Sequence, residues 1–173
     1  MAKSGSKEIT APIIVLVCIC LVASFLLAGV YQITAPVIAE REAAEASAAR
    51  VQVLPAGSTF KEVTGLELLK GVTEVYKSEN GAGYTVSTNV KGMNSGLKLM
   101  VGVDTNGEVT GINVLGHDET AGIGTKVLDP GFLGNWVGAK SADAVDSMSG
   151  ATYTSNGVKT AIQAALDQVV AIK

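Results

Sequence analysis

A dense run of hydroxyl side chains lies between Asp146 and Asn156, where the sequence reads DSMSGATYTSN. The run leads directly into a final segment with helical periodicity. A helix N-terminus offers free backbone N–H groups and a positive dipole end, so it favours an anion such as a phosphate. Gly150 and Ala151 are small enough to let the backbone approach such a group. The residues alone leave open a second interpretation, in which these side chains only cap the helix.

A second polar segment, GHDETAGIGTK over residues 116–126, follows a predicted strand. It is too polar and too rich in glycine to belong to a core. Loops carried by a sheet are frequent binding positions. An ordinary connection between two elements is the alternative interpretation.

Several other kinds of chemistry are excluded by composition. His117 is the single histidine, so a multi-histidine metal site is not expected. Both cysteines, Cys18 and Cys20, lie in the apolar N-terminal stretch, so a cysteine-ligated cluster is not expected in the rest of the chain. The net charge of -3 does not suggest a nucleic-acid partner. The sequence contains no P-loop. We therefore expect no metal ligands and no complete catalytic site in this chain alone.

An uncharged segment of 21 residues, Ala11 to Tyr31, precedes all of these features. As a helix it would span roughly 30 Å, the thickness of the hydrocarbon core of a bilayer. The apolar part of a cleavable signal peptide is shorter, about 7 to 15 residues, which favours a retained transmembrane helix over residues 11–31. Lys3 and Lys7 lie before it, so residues 1–10 are predicted to be cytoplasmic and the rest to lie outside the cytoplasmic membrane.

The next segment, residues 32–58, is predicted to be a stalk helix and linker. Pro36 suits the first turn of a second helix. The residues that follow are rich in Ala and Glu, both good helix formers, as far as about Leu54. The stalk could be a spacer or partner-docking helix, or only a solvated linker helix.

The remaining residues, 59–173, are predicted to form a small α+β domain. Alternating apolar residues and turn signals indicate an antiparallel sheet of four strands. These strands are predicted at Val72–Lys77, Tyr84–Val90, Leu97–Val103 and Glu108–Leu115. A last helix, covering the sheet, is predicted to begin near Ser155, which suits the N-cap position.

The hydroxyl-rich run resembles the attachment motif D-x-x-(S/T)-G-A-T of the FMN-binding domain family. Its specified positions are filled by Asp146, Ser149, Gly150, Ala151 and Thr152.

The earlier loop, residues 119–124, resembles the same family's loop E-T-P-G-(L/I)-G. Ala121 stands where proline is usual, so the loop is expected to be less rigid. As a whole the chain resembles the G subunits of Rnf complexes. It is similar also to the C subunits of sodium-pumping NADH:quinone reductases, which are typically longer.

The resemblance implies one covalent FMN per chain, esterified through its phosphate to the hydroxyl of Thr152. It also implies that a separate flavin transferase, using FAD and a magnesium ion, installs the group. Asp146 and Ser149 match recognition positions, and Gly150 and Ala151 complete the motif. The residues of the earlier loop that match positions beside the flavin are Glu119, Thr120, Gly122 and Gly124.

The function implied is that of a membrane-anchored flavoprotein subunit of an ion-translocating ferredoxin:NAD+ oxidoreductase. Its partners would be the other membrane subunits and the iron–sulfur and flavin subunits of an Rnf-type complex. Two alternatives remain at this point: a non-redox assembly or scaffold subunit, and a stand-alone anchored FMN carrier that feeds an extracytoplasmic reductase.

Overall fold

The structure, a computed structural model, describes residues 5–172, with side chains from residue 10 onwards. Lys173 lies outside the described residues. Lys3 and the side chain of Lys7 also lie outside them, so the structure does not describe the two charges from which the membrane orientation is predicted. The chain divides into two compact units, one ending at Ala44 and one beginning at Glu45.

The described residues of the first unit lie within one long helix, α1, which runs from Gly5 to Val53 and contains both Pro12 and Pro36. The prediction that a second helix begins at Pro36 is therefore wrong. A proline inside a helix removes one backbone hydrogen bond, but α1 continues through both positions. Residues 10–53 include a stretch long and apolar enough to cross a membrane. Its large apolar side chains, among them Phe25 and Ile33, are exposed.

The second unit is built on a five-stranded antiparallel sheet whose strands lie side by side in chain order. The strands are β1 Phe60–Glu62, β2 Val72–Ser78, β3 Gly83–Val90, β4 Leu97–Asp104 and β5 Val109–Gly116. The four predicted strands are confirmed within one or two residues. β1 was not predicted because three residues are too few to show alternation.

After β5 the chain forms irregular turns, the short helix α2 Pro130–Leu133, and the last helix, α3 Thr152–Ile172. α3 packs on one face of the sheet, as the α+β prediction requires. Its buried Val158, Ile162 and Val169 belong to the same core cluster as Val101 of β4 and Trp136. This packing fixes α3 on the sheet, and with it the first turn of α3.

The end of α1 lies against β4 and β5 through a second, smaller cluster that contains Ala49, Val53 and Met100. Glycines make this approach possible: a Cβ at Gly102 would lie 2.1 Å from the carbonyl oxygen of Val53. Thr110 Oγ1 donates to the same carbonyl at 2.5 Å. The last turns of α1 therefore pack as part of the sheet-containing unit, rather than being solvated all round, and that unit begins before residue 59.

Arg50 strengthens this contact from the helix side. Its guanidinium lies 3.6 Å from the centre of the Tyr76 ring, a cation–π arrangement, and 4.0 Å from a carboxylate oxygen of Glu74. Burial raises the pKa of the Tyr76 hydroxyl above its ordinary value, and the charge of Arg50 partly opposes that rise.

Candidate functional site

The two segments singled out in the sequence meet at a small cleft of about 60 Å³. Three parts of the fold form it: the loop between β3 and β4, the loop after β5, and the turn that begins α3. The residues lining the cleft are Met93, Glu119, Thr120, Ile123, Gly124, Gly150, Ala151, Thr152, Tyr153 and Thr154.

Thr152 is the first residue of α3, and its side chain is exposed. The preceding turn depends on Gly150, whose φ of +82° lies in the left-handed region that glycine adopts without strain. Ala151 is buried beneath the turn, and its N–H donates to the carbonyl oxygen of Met148 at 3.1 Å. The local sequence thus presents the Thr152 hydroxyl to solvent at the positive end of a 21-residue helix.

Ser155 is not the N-cap residue, so the prediction that α3 begins there is wrong. It is the fourth residue of α3 and is fully buried. Its hydroxyl donates to the carbonyl oxygen of Ala151 and accepts from the N–H of Met148, both at 3.0 Å. Ser155 therefore connects the turn before α3 to the helix from the buried side.

Thr154 is also buried, at 2% exposure, and its hydroxyl donates to Glu119 Oε2 at 2.5 Å. Thr154 and Ser155 thus both direct their hydroxyls into the protein. Of the three serine and threonine residues at the start of α3, Thr152 alone is exposed.

Glu119 lines the cleft, but protein donors occupy its carboxylate. Besides Thr154, the backbone N–H of Met93 donates to Oε1 at 3.1 Å and that of Asn94 to the same oxygen at 3.4 Å. Its own N–H donates to His117 Nδ1 at 3.2 Å. Glu119 therefore connects parts of the site to one another.

The other residues of this loop differ in their placement. Thr120 and Gly124 line the cleft, and the carbonyl oxygen of Thr120 accepts from the N–H of Gly124 at 3.0 Å. Gly122 does not line it. With a φ of +76°, Gly122 forms the turn, and its N–H donates to Thr125 Oγ1 at 2.9 Å. Gly122 therefore behaves as part of an ordinary connecting turn, whereas Gly124 lies at the cleft.

Asp146 and Ser149 are exposed on the approach to α3 and do not line the cleft. The buried Thr154 lines the cleft but was not among the predicted site residues. Three further lining residues were also not predicted, namely Met93, Ile123 and Tyr153. All three are exposed, Tyr153 at 71%. Tyr153 could have been found, because it directly follows the attachment motif. Met93 gave no such signal, because it comes from a different loop.

The described residues contain no group of three or more His, Cys, Asp or Glu side chains that could hold a metal ion. The residues of the cleft suit a group linked through a phosphate. The exposed hydroxyl of Thr152 lies at the start of a long helix, and Gly150 in the preceding turn leaves the space around that hydroxyl open. Met93, Ile123 and Tyr153 offer apolar surface at the rim of the same cleft.

Comparison with known proteins identifies the domain in which this cleft lies. Residues 92–167 match the family model of the FMN-binding domain. The chain is 34% identical to the G subunit of the ion-translocating oxidoreductase complex of Methanosarcina acetivorans, covering 97% of this chain and 98% of that protein. It is 27% identical to the G subunit of the proton-translocating ferredoxin:NAD(+) oxidoreductase complex of Clostridium ljungdahlii, covering 87% and 85%.

The G subunit of the ion-translocating oxidoreductase complex of Escherichia coli strain K12 is 30% identical, with 81% of each chain covered. The match to the Methanosarcina acetivorans protein covers 97% of this chain, so it includes the long apolar helix as well as the sheet. The chain thus belongs to the family of G subunits of ion-translocating oxidoreductase complexes, with an FMN-binding domain over residues 92–167.

Proposed function

We propose that this chain is the membrane-anchored flavoprotein subunit of an Rnf-type ferredoxin:NAD+ oxidoreductase, and that it carries electrons through one FMN esterified to Thr152. Family membership supports the place in an ion-translocating complex, and the domain match supports FMN. The long apolar helix with exposed side chains supports the membrane anchor.

One observation carries the choice of attachment residue. Thr152, Thr154 and Ser155 all offer hydroxyls at the start of α3, but only the hydroxyl of Thr152 is accessible. Thr154 is hydrogen-bonded to Glu119, and Ser155 is hydrogen-bonded to the turn before the helix. A modifying enzyme can reach an exposed hydroxyl without unfolding the helix.

The helix N-terminus favours the phosphate of such an ester. Its free N–H groups and dipole typically stabilise an exposed anion by about 0.3–1 kcal/mol. FMN supplies the redox chemistry when it is bound, while the protein supplies its position and surroundings. In this arrangement Thr152 is a tether and not a nucleophile during electron transfer.

The dimensions of the cleft favour a covalent link over simple binding. Pockets that enclose a ligand of this size have volumes of about 300–1,000 Å³. The cleft beside Thr152 has about 60 Å³. It cannot enclose a three-ring flavin, so non-covalent contacts alone would hold FMN weakly. A phosphoester keeps the group on the protein while leaving much of it open to an electron-transfer partner.

The partners follow from this assignment. The other membrane subunits and the iron–sulfur and flavin subunits of an Rnf-type complex would exchange electrons with this chain. A flavin transferase, using FAD and magnesium, would install the group. With the N-terminus in the cytoplasm, the FMN domain would lie on the outer face of the cytoplasmic membrane.

Co-expression of the full-length chain with an active flavin transferase tests this function. Wild type should gain the mass of FMN less one water and stay fluorescent after denaturation. Thr152→Ala should lose both properties. Thr160→Ala, which removes another exposed hydroxyl from α3, should keep them. FMN on Thr154 or Ser155 would contradict the assignment. A wild-type chain that never acquires flavin would favour a scaffold subunit.

A further inference from the structure

We propose that Glu119 and Thr154 form a positioning pair that sets the hydroxyl of Thr152 for flavin transfer. The proposal rests on Thr152 as the attachment residue and goes beyond it, because neither member of the pair receives the flavin. It assigns Thr154 a positioning role and gives Glu119 a role distinct from contact with the flavin ring.

Glu119 joins three parts of the chain that are far apart in sequence. One carboxylate oxygen accepts from the N–H groups of Met93 and Asn94, in the loop between β3 and β4. The other accepts from Thr154, 35 residues further along the chain. Asn94 Nδ2 also donates to the carbonyl oxygen of Asp118 at 2.6 Å. The first turn of α3 is thus held to both loops of the cleft.

Glycines make the space in which this carboxylate lies. A Cβ at Gly92 would lie 2.2 Å from Glu119 Oε1. A Cβ at Gly124 would lie 2.8 Å from both Glu119 Oε2 and Thr154 Oγ1. Side chains at these positions would displace Glu119, so the glycines and the pair belong to one arrangement.

Glu119 is 8% exposed, and its carboxylate takes part in none of the ion pairs of the described residues. Burying a carboxylate has a desolvation cost that a well-packed apolar side chain avoids. In exchange for this cost, a carboxylate fixes the orientation of the groups that donate to it, because it accepts several hydrogen bonds in preferred directions. That property suits an orienting role.

Helix geometry transmits this direction to Thr152. Successive residues of an α-helix are about 100° apart around its axis, so Thr152 and Thr154 point to nearly opposite sides. Holding Thr154 inward against Glu119 therefore turns Thr152 outward. It also limits rotation and fraying of the first turn, which lacks the intrahelical hydrogen bonds of later turns.

The transfer reaction depends on this orientation. The Thr152 hydroxyl oxygen forms a bond to the FMN phosphorus of FAD, the bond between the two phosphates breaks, AMP leaves, and the hydroxyl proton is released. No electrons are exchanged. In-line displacement at phosphorus requires the oxygen to be well placed, and a 1 Å displacement can cost about 100-fold in rate.

The matched variants are Thr154→Val, which removes the hydroxyl but keeps the shape, and Thr154→Ser, which keeps the hydroxyl. Both are assayed on the full-length chain with the flavin transferase and FAD, with the concentration of the chain varied. Thr154→Val should lower kcat for transfer by roughly 10- to 100-fold with little change in KM, because only the placement of Thr152 is lost. Thr154→Ser should restore most of the rate. Hydrogen exchange at the first turn of α3 should be faster in the valine variant only.

The proposal is overturned if the Thr154→Val variant folds and accepts flavin at the wild-type rate. If that variant does not fold, Glu119→Gln decides. It keeps the side-chain shape but leaves one acceptor oxygen, which the N–H groups of Met93 and Asn94 require, so the charge-assisted hydrogen bond that Thr154 donates is lost. A slower rate supports the pair, and an unchanged rate overturns it. Failure of wild type to accept flavin would instead remove the attachment at Thr152.

Discussion

Thr152 and Thr154 lie two residues apart in the first turn of α3, yet one is exposed and the other is 2% exposed and bonded to Glu119. The same short run of sequence thus serves two purposes. The hydroxyl of Thr152 is exposed, as the proposed attachment requires, and its neighbours hold the helix in place. The phosphate-binding and structural interpretations of this run are therefore compatible, because different residues carry them.

Ser155→Ala should destabilise the protein without moving the flavin. The change leaves the half-buried N–H of Met148 without the Ser155 hydroxyl that accepts from it, so the free energy of unfolding should fall by about 1–3 kcal/mol. Denaturant unfolding, followed by the fluorescence of Trp136, the single tryptophan, measures this loss. The control is Thr160→Ala. Thr160 makes the same kind of bond to a carbonyl four residues earlier, but it is exposed, and its loss should cost less than about 0.5 kcal/mol. Equal losses in the two variants would contradict this role for Ser155.

The strands were predictable because apolar side chains recur at every second position in the sequence, although β4 itself is buried on both faces. Leu97, Leu99, Val101 and Val103 face the core formed with α3, and this period of two is visible in the sequence. The start of α3 was not predictable in the same way. Ser and Thr side chains suit both an N-cap and a buried bond to a preceding carbonyl, and only the packing of α3 on the sheet distinguishes them.

The partners of Glu119 and the docking of the α1 end could not be read from the sequence. Both depend on contacts between distant segments, such as Glu119 with Thr154 and Val53 with Thr110. Small residues gave the only signal. Gly102 and Gly111 lie opposite each other on adjacent strands, where a close approach of another backbone is a common reason for glycine. The sequence could not identify which backbone approaches.

Gly124→Ala should reduce flavin attachment, because its Cβ would contact both Glu119 and Thr154. We do not expect a change in the flavin spectrum without a loss of attachment, since the substitution acts on the pair that we propose to orient Thr152. Gly122→Ala is the matched control. Its Cβ would meet open space, although a φ of +76° makes alanine costly by about 1–2 kcal/mol. The fraction of flavin-modified chain, measured by mass after a fixed transfer time, should fall much further for Gly124→Ala. Equal attachment in the two variants would separate Gly124 from the pair.

A reporter fused after Lys173 should be exposed outside the cytoplasmic membrane. The reason is the uncharged segment of residues 11–31, preceded by Lys3 and Lys7. An enzyme reporter that folds only outside the cytoplasm measures the result. As a control, replacing both lysines by glutamate should reduce the exported fraction. A reporter that is active only in the cytoplasm would reverse the proposed orientation.

Gly102→Ala should weaken the contact between the end of α1 and the sheet. The new Cβ would lie 2.1 Å from the carbonyl oxygen of Val53, a backbone atom that cannot swing aside as a flexible side chain does. The helix end must shift, which strains the bond from Thr110 and the packing of Met100. Overpacking of this kind typically costs about 1–3 kcal/mol, measured as the change in unfolding free energy in detergent by Trp136 fluorescence.

Gly134→Ala provides the control for Gly102→Ala. Gly134 has a helical φ of -60°, and a Cβ there would have no neighbour within 4 Å. Its unfolding free energy should stay within about 0.5 kcal/mol of wild type. Protease cleavage within residues 45–53 should become faster in Gly102→Ala and stay unchanged in Gly134→Ala, because only the first change lifts the helix from the sheet. If Gly102→Ala leaves both stability and cleavage unchanged, the end of α1 is not held by the close approach at Gly102.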